Sequence, residues 1–197
     1  MKSLEVQFYA ESNPSKIVKV KATATELPQK GFQVKASIWK GILLLPGTGG
    51  GKVIWKAVGT KQNNKKGESS TRTFFVAAPE AVGNPNIDPK SKVLLPTLSW
   101  MNNCNSKFKV WFYNDADYYN TPTKAGVKKT SLSFTDTNPN DNSGAFTKGL
   151  TSGQWTSIQN VVGKASGAKI YWHVESSDVV STSRIAKTAR QEFDLED

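Results

Sequence analysis

The second half of this chain repeats the sequence pattern of its first half. Glu5–Tyr9 is a short alternating segment that ends in Phe-Tyr, and Lys109–Tyr113 ends in the same way. Farther along, Lys52–Val58 and Lys169–Glu175 both begin with Lys and both place Trp at the fourth position. Because this repeat is much longer than a solenoid unit of roughly 20–50 residues, it predicts two copies of one small domain.

Two further tryptophans mark the same repeat. Trp39 lies 16 residues before Trp55, and Trp155 lies 17 residues before Trp172. Aromatic residues at matched positions of both copies indicate positions that the fold itself requires. We therefore expect most of the six tryptophans to lie in the core.

Apolar and polar residues alternate with a period of two along both halves, which is typical of half-buried strands. In the first copy this pattern predicts strands at 4–9, 16–25, 31–39, 53–58 and 71–77. In the second copy it predicts strands at 96–100, 107–113, 128–135, 144–148, 154–159, 168–175 and 186–195. Because no segment has the pattern of an amphipathic helix, the prediction is an all-β chain of two antiparallel sandwiches in tandem.

Proline residues suggest where one copy ends and the next begins. Residues 79–91 include Pro79, Pro85 and Pro89, a composition typical of a semi-rigid spacer. The predicted organisation is a first domain at 1–78, a Pro-rich linker at 79–91 and a second domain at 92–197.

Several motifs of the second copy resemble a fibronectin type III-like domain, a member of the immunoglobulin-like sandwiches. The motifs are Pro96–Trp100, the aromatic-x-Val-x-aromatic strand Phe108–Phe112, the strand Ile170–Val174 and the closing Phe193. The way in which each copy closes resembles domains of bacterial surface or secreted proteins. The resemblance implies a core role for Trp100 and an extracellular or cell-surface location.

The first copy has no counterpart of Pro96–Trp100 and begins directly at the strand that matches 107–113. A sandwich without its first two strands would expose sheet edges and one face of its core. We therefore expect either a fragment of a longer protein, with any signal sequence removed or outside it, or strands supplied by another chain.

Positive charge is concentrated in the first part of the sequence. Residues 1–91 hold 14 Lys and Arg against 6 Asp and Glu, whereas residues 92–197 hold 12 against 10. Such a surface attracts anionic polymers, although lysines also protect sheet edges from unwanted pairing. The candidate contact residues are Lys61, Lys65, Lys66, Lys128 and Lys129. Residues 59–70 lack the aromatics that single-stranded nucleic acid requires, so a nucleic-acid partner is not favoured.

Tyr118 and Tyr119 follow Asp117 in a predicted loop, with Asn114 and Asn120 nearby. Exposed tyrosines beside amides are typical of surfaces that contact glycans or peptides. The alternative is that one of the two rings covers the sandwich core.

One acidic loop has the composition of a calcium site. It contains Asp136, Asn138, Asn140 and Asp141, which could supply several of the roughly 6–8 oxygens that calcium requires. It lacks the bidentate Glu of an EF-hand, and the same residue types form ordinary turns. No other cofactor is predicted.

The sequence contains no recognisable catalytic constellation. Its single histidine, His173, lies within a strand without Ser or Asp partners at a recognisable spacing, and the glycine-rich segment 47–51 leads into a strand. No apolar run is long enough to span a membrane. The sequence therefore predicts a non-enzymatic extracellular or cell-surface binding and spacer module with a protein or glycan partner. The alternatives are a filament subunit that self-associates through sheet edges and a module that binds anionic polymers.

Overall fold

The computed structural model describes residues 2–22, 34–103, 105–137, 144–178 and 183–197. The chain divides into two compact units, Met1–Pro79 and Glu80–Asp197. Each unit has a hydrophobic core of its own.

The first unit is one antiparallel sheet with a short helix, α1 (Ala36–Leu43). Its strands are β1 (Ser3–Ala10), β2 (Asn13–Lys21), β3 (Gly51–Thr60), β4 (Lys66–Glu68) and β5 (Arg72–Val76). The order across the sheet is β2-β1-β3-β4, and β5 also pairs with β3. The sheet is therefore built around the β1–β3 pair.

One face of this sheet is apolar because alternate side chains of a strand point to the same side. Val6, Phe8 and Ala10 of β1 form a buried cluster with Val53 of β3 and with Ile42 of α1. The expectation that the first copy exposes one face of its core is therefore wrong. These side chains are all less than 10% exposed, and the helix contributes to their cover.

The second unit is a two-layer antiparallel sandwich. Its strands are β6 (Gly83–Asp88), β7 (Thr97–Met101), β8 (Asn105–Tyr113), β9 (Lys129–Thr135), β10 (Ala145–Gly149), β11 (Lys169–Asp178), β12 (Ile185–Lys187) and β13 (Gln191–Asp194). One sheet has the order β10-β7-β6; the other has the order β12-β11-β8-β9, with β13 also paired to β11. This arrangement confirms the predicted all-β, immunoglobulin-like sandwich.

The core of the second unit lies between its two sheets. Phe112 of β8 stands opposite Trp172 of β11, with ring centroids 6.0 Å apart. Trp100 of β7 covers this layer from the other sheet and packs on Phe108 and Phe146 at 5.1 and 4.8 Å. Trp100 therefore has the core position that its motif implies.

The sequence repeat corresponds to a structural repeat. In both units a hairpin, β1–β2 or β8–β9, precedes a short helix and a long strand, β3 or β11, which pairs with the first strand of the hairpin. In the second unit β10 lies between the hairpin and the helix. The described residues of the first unit include no counterparts of β6 and β7. In its described part, the first unit thus contains the sheet of the repeat without those opening strands, as the sequence predicts.

Two segments that the sequence predicts as strands contain helical residues instead. The segment predicted as a strand at 31–39 ends in α1, and the one at 154–159 lies in α2 (Ser152–Gln159). A capping box begins α2: the Gln154 amide donates to Thr151 Oγ1, and the Thr151 amide donates to Gln154 Oε1. Short apolar patterns fit either period, and here the cap favours the helix.

The structure also corrects the prediction of a Pro-rich linker at 79–91. Gly83–Asp88 within it forms β6, which pairs with β7 in the second unit. Asn84 has a φ of 48°, and the register shifts between Gly83 and Asn86, so the strand accommodates Pro85 at an irregularity. The proline content marks an edge strand with a bulge, not a spacer.

A matched pair of valine substitutions tests the assignment of this core. Val110 of β8 is 0% exposed, whereas Val93 is 79% exposed in the same unit. We expect Val110→Ala to lower the free energy of unfolding by about 2 kcal/mol, through lost burial and a small cavity. Val93→Ala should change it by less than about 0.5 kcal/mol. Urea denaturation followed by tryptophan fluorescence measures both, and equal effects would contradict the described packing.

Candidate functional site

The β8–β11 pair has an outer face that points away from the sandwich core. Trp111 stands opposite His173, Lys109 opposite Glu175, and Lys107 opposite Ser177. Their chain neighbours are the inward-pointing core residues, so strict alternation places all six of these side chains on the outside. The outer face divides into an aromatic part near one end of the strands and a groove near the other.

The connection between β8 and β9 folds back onto the aromatic part. Its 3-10 turn, Ala116–Tyr119, places the Tyr118 ring 4.9 Å from that of Tyr113 and 6.3 Å from that of Trp111. Tyr119 meets His173 edge-on at 5.2 Å. We call this set the aromatic cluster: Trp111, Tyr113, Tyr118, Tyr119, Tyr171 and His173.

An acidic cap holds the turn in place. The Asp115 carboxylate accepts the backbone amide of Asp117 at 2.9 Å, and Lys124 Nζ lies 2.7 Å from Asp115 and 3.0 Å from Asp117. Lys124 and the Asp117 amide together lower the pKa of Asp115. The cap is therefore charged at neutral pH and fixes the start of the turn.

Four cationic side chains cover the rings of the aromatic cluster. Cations over aromatic faces are attracted by the ring quadrupole. The distances to ring centroids are 4.0 Å for Lys109 over Trp111, 4.5 Å for Lys129 over Tyr118, 3.6 Å for Lys187 over Tyr119 and 5.2 Å for Arg190 over Tyr171. Lys187 Nζ also donates to the Tyr119 carbonyl at 2.6 Å, and burial lowers its pKa. The Lys129 and Lys187 contacts hold the connection on the sheet, because Tyr118 and Tyr119 belong to it.

The single histidine belongs to this structural network. His173 Nε2 faces Glu175 Oε1 at 3.7 Å, and Nδ1 is 3.2 Å from the Tyr113 hydroxyl. Within the described residues Nε2 has no hydrogen-bond partner, so the Tyr113 hydroxyl is the group that fixes the ring. Burial raises the pKa of Tyr113, so this hydroxyl stays protonated. The histidine is 3% exposed and connects the cluster to Glu175.

Glu175 stands at the border between the aromatic cluster and the groove. Its Oε2 accepts Trp111 Nε1–H at 2.9 Å. His173, and after it the Trp111 indole, lowers the pKa of Glu175. A charged carboxylate is therefore held at a fixed position at neutral pH, with acceptor capacity left over.

Beyond Glu175 lies a shallow groove of about 270 Å³. Its walls come from adjacent strands: Ser133 and Thr135 of β9 stand opposite Lys109 and Lys107 of β8. We call it the outer groove, with the outward-pointing lining Lys107, Lys109, Ser133, Thr135, Glu175, Ser177 and Ile185. Its floor is hydrogen-bonded sheet, so these side chains are held by a rigid support.

The structure changes the interpretation of the predicted contact residues. Tyr118 is 5% exposed, so the expectation of two exposed tyrosines is wrong for it; its ring covers the outer face of the sheet and not the sandwich core. Tyr119 is half-buried and donates its hydroxyl to the Thr188 carbonyl at 2.7 Å. Lys129 donates to the Tyr118 hydroxyl, while the side chain of Lys128 is exposed.

The predicted contact lysines of the first unit lie in an exposed hairpin between β3 and β4. Lys61, Lys65 and Lys66 are all exposed there, and the Lys61 amide donates to the Lys65 carbonyl. Their binding role stays a prediction.

The predicted calcium loop lies largely outside the described residues, which include Asp136 but not Asn138, Asn140 or Asp141. Asp136 accepts a hydrogen bond from Asn102 Nδ2. Among the residues that the structure describes, no cluster of three or more His, Cys, Asp or Glu could hold a metal ion. Calcium binding stays a prediction.

The outer groove was not predicted from the sequence. Lys107, Lys109 and Glu175 occupy outward positions of two strictly alternating strands, but alternation does not show which outward residues are left uncovered. That depends on the path of residues 114–128, which cover one part of the face and not the other.

Similarity to known proteins is found at the level of structure. No protein-family model and no curated protein matches the chain. Similar solved structures include the FN1–FN3 domains of chicken CNTN1, at 10% identity and a TM-score of 0.33 over 99% of this chain and 54% of that chain. This chain thus spans about half the length of that fragment.

Two further structures are also similar. The chicken interferon gamma receptor alpha chain gives 6% identity and a TM-score of 0.39 over 98% of this chain and 84% of that chain. A two-domain fibronectin type III segment of chicken tenascin gives 9% identity and a TM-score of 0.34 over 100% and 85%. The strand order of the second unit, with two antiparallel sheets, is that of an immunoglobulin-like sandwich. In the described part of the chain, no helix has the length and hydropathy needed to cross a membrane.

A tyrosine pair tests the hydrogen bond that fixes the aromatic cluster. Tyr119→Phe removes the hydroxyl that donates to Thr188 and keeps the ring, so we expect a loss of about 1 kcal/mol in the free energy of unfolding. Tyr171→Phe is the control, because the Tyr171 hydroxyl has no hydrogen-bond partner within the described residues. It should change stability by less than about 0.5 kcal/mol, and the reverse ranking in urea denaturation would contradict the geometry.

The lowered pKa of Glu175 predicts that the folded state loses stability at acid pH. Its pKa in the folded state is below its ordinary value of 4.5, so its stabilising contribution is complete above that pH and is lost as the pH falls through the lower folded value. We expect the stability advantage of the wild type over Glu175→Gln to shrink between about pH 6 and about pH 3. A Glu175→Gln difference that is constant with pH would contradict the network.

Proposed function

We propose that this chain is a non-enzymatic binding and spacer module of the cell surface or extracellular space, and that the outer groove holds its partner. The observation that carries the proposal is the outer groove itself. Charged and hydroxyl-bearing side chains of adjacent strands converge there on a rigid floor. A rigid sheet suits recognition, because it fixes the strands that carry these side chains and little backbone entropy remains to be lost on binding.

The buried histidine network supports binding over catalysis. His173 has one nitrogen on Tyr113 and the other towards Glu175, and it is closed off from solvent by the Tyr119 ring. A general base has to reach the proton that it abstracts, whereas this imidazole is surrounded by the aromatic cluster. Its position is that of a residue that orients Glu175.

The distribution of charge supports a second candidate function, binding of anionic polymers by the first unit. Residues 1–79 hold 13 Lys and Arg against 4 Asp and Glu. On its sheet, Lys52 and Lys56 are paired with Glu11 and Glu68 at 2.8 and 2.7 Å, so the excess positive charge lies elsewhere, including the exposed hairpin at 61–66. A polymer held in this way would bind in a strongly salt-dependent manner.

Self-assembly through sheet edges is less well supported. β2 is an edge strand of the first sheet, and it carries Pro14 together with Lys16, Lys19 and Lys21. Lysine and proline on an edge oppose pairing with another chain. This edge is therefore protected, and we rank a filament subunit behind the two binding functions.

A pair of bulky substitutions tests the proposed function. Ser133→Tyr places a large ring in the outer groove, whereas Thr147→Tyr makes a similar change at an exposed position of β10 in the other sheet. Both variants and the wild type would be applied to an array of neutral and acidic glycans and extended peptides. We expect at least one ligand class to bind the wild type and Thr147→Tyr, and to lose about tenfold or more in affinity with Ser133→Tyr, equivalent to about 1.4 kcal/mol.

Two results would contradict the proposed function. One is that no array ligand binds the wild type. The other is that Ser133→Tyr and the wild type bind every ligand equally, which would exclude the outer groove as the contact surface.

A further inference from the structure

We infer that the outer groove binds an acidic saccharide, a sugar chain that carries carboxylate or sulfate groups. This inference rests on the proposed function and names the ligand of the same site. It is carried by two lysines, a set of hydroxyl groups and one carboxylate, whose positions relative to one another are fixed by strand register.

The two lysines supply positive charge to the outer groove. Lys107 and Lys109 stand two positions apart on β8, on the same side of the sheet. Neither forms a salt bridge within the part of the chain that the structure describes; Lys109 Nζ instead lies over the Trp111 ring. Lys107 is exposed and therefore available to an anionic ligand. Lys109, which is half-buried, acts in part on the Glu175 carboxylate opposite it and adds its positive charge to the same part of the groove.

Hydroxyl groups flank the two lysines. Ser133 stands opposite Lys109 and Thr135 opposite Lys107, and both hydroxyl-bearing residues are exposed. A hydroxyl both donates and accepts, so it can match a sugar hydroxyl in either direction. The groove thus offers charge for an acidic group and adaptable hydrogen bonds for the ring that carries it.

Glu175 favours a saccharide over a nucleic acid. Its carboxylate accepts from Trp111 and has further acceptor capacity toward the groove, where it can only accept hydrogen bonds. Sugar hydroxyls provide such donors. The phosphodiester groups of a nucleic acid carry no hydrogen-bond donor that could pair with this carboxylate.

The size of the outer groove suits part of a chain. Its volume of about 270 Å³ lies just below the range of about 300–1,000 Å³ that is common for small-molecule pockets. A short stretch of an acidic saccharide fits this volume, and most of a longer polymer would remain in solvent. We therefore expect modest affinity for each site and a clear dependence on salt.

The test uses the full chain and defined oligosaccharides in isothermal titration calorimetry. The probes are a galacturonate oligomer, its fully methyl-esterified counterpart, a sulfated heparin oligosaccharide and a single-stranded oligonucleotide. The methyl ester keeps the sugar rings and removes the charge, so it isolates the contribution of the lysines. The galacturonate and heparin probes distinguish carboxylate from sulfate as the acidic group.

Two double variants locate the binding. The variant with both Lys107→Gln and Lys109→Gln loses the two positive charges of the outer groove. The variant with both Lys61→Gln and Lys65→Gln loses two exposed positive charges of the first unit. Circular dichroism melting establishes that each variant is folded. If the double variant is not folded, Lys107→Gln alone replaces it. Lys107 has no contact with the Trp111 ring comparable to that of Lys109, so this single change leaves the ring contact intact.

We expect at least one acidic oligosaccharide to bind the wild type, with about tenfold weaker binding to the Lys107/Lys109 variant, equivalent to about 1.4 kcal/mol. The Lys61/Lys65 variant should bind within about twofold of the wild type, and the methyl ester should bind more weakly than its acid.

Other outcomes overturn the inference, and they separate it from the proposed function. Equal binding of the ester and the acid, blocked by Ser133→Tyr, would indicate a neutral saccharide in the groove. Peptide binding that Ser133→Tyr blocks, without saccharide binding, would indicate a protein partner; in both cases the proposed function stands.

Loss of acidic saccharide or oligonucleotide binding in the Lys61/Lys65 variant alone would assign the interaction to the first unit. Absence of any ligand sensitive to Ser133→Tyr would remove both proposals.

Discussion

The antiparallel pairing of β8 with β11 is the interaction on which the second unit depends. Each strand buries one side of its alternating pattern in the sandwich core, where Phe112 meets Trp172 and Val110 meets Val174. The same register fixes the outer side chains, so Lys109 meets Glu175 and Trp111 meets His173. Packing energy on one face therefore determines the geometry of polar groups on the other, because a slip of one residue would reverse both faces. The first unit has the corresponding β1–β3 pair, with Phe8 opposite Trp55.

The two units differ most in the connection after the first strand of this pair. Only Glu11 and Ser12 connect β1 to β2, whereas residues 114–128 connect β8 to β9. The longer connection brings the Ala116–Tyr119 turn onto the sheet, where rings and cations cover one part of the outer face. The uncovered part is the outer groove. A change in one hairpin connection thus gives the second unit a structured outer surface that the short hairpin of the first unit cannot form.

Sequence patterns are sufficient where one interaction dominates and insufficient where several compete. The repeat and the long strands follow from alternation and aromatic spacing, since burial of one face overrides other preferences. The core position of Trp100 is the one that the resemblance of its motif implies. The short apolar pattern at 154–159 fits both periods and predicts a strand, whereas the Thr151–Gln154 cap favours the helix. Proline at 85 suggests a linker, but β6 lies at a sheet edge, where proline is tolerated. The burial of Tyr118 depends on a connection that folds back across strands distant in sequence from it, and local patterns contain no information on that path.

The outer face of the β8–β11 pair is the surface that we propose for ligand binding by this chain. The most direct test is a nuclear magnetic resonance titration of the isotope-labelled full chain with an acidic oligosaccharide. We predict that amide shift changes concentrate at residues 107–109, 133–135 and 175–177, which line the outer groove. Shift changes confined to the first unit, or to the sheet formed by β6, β7 and β10, would contradict this assignment.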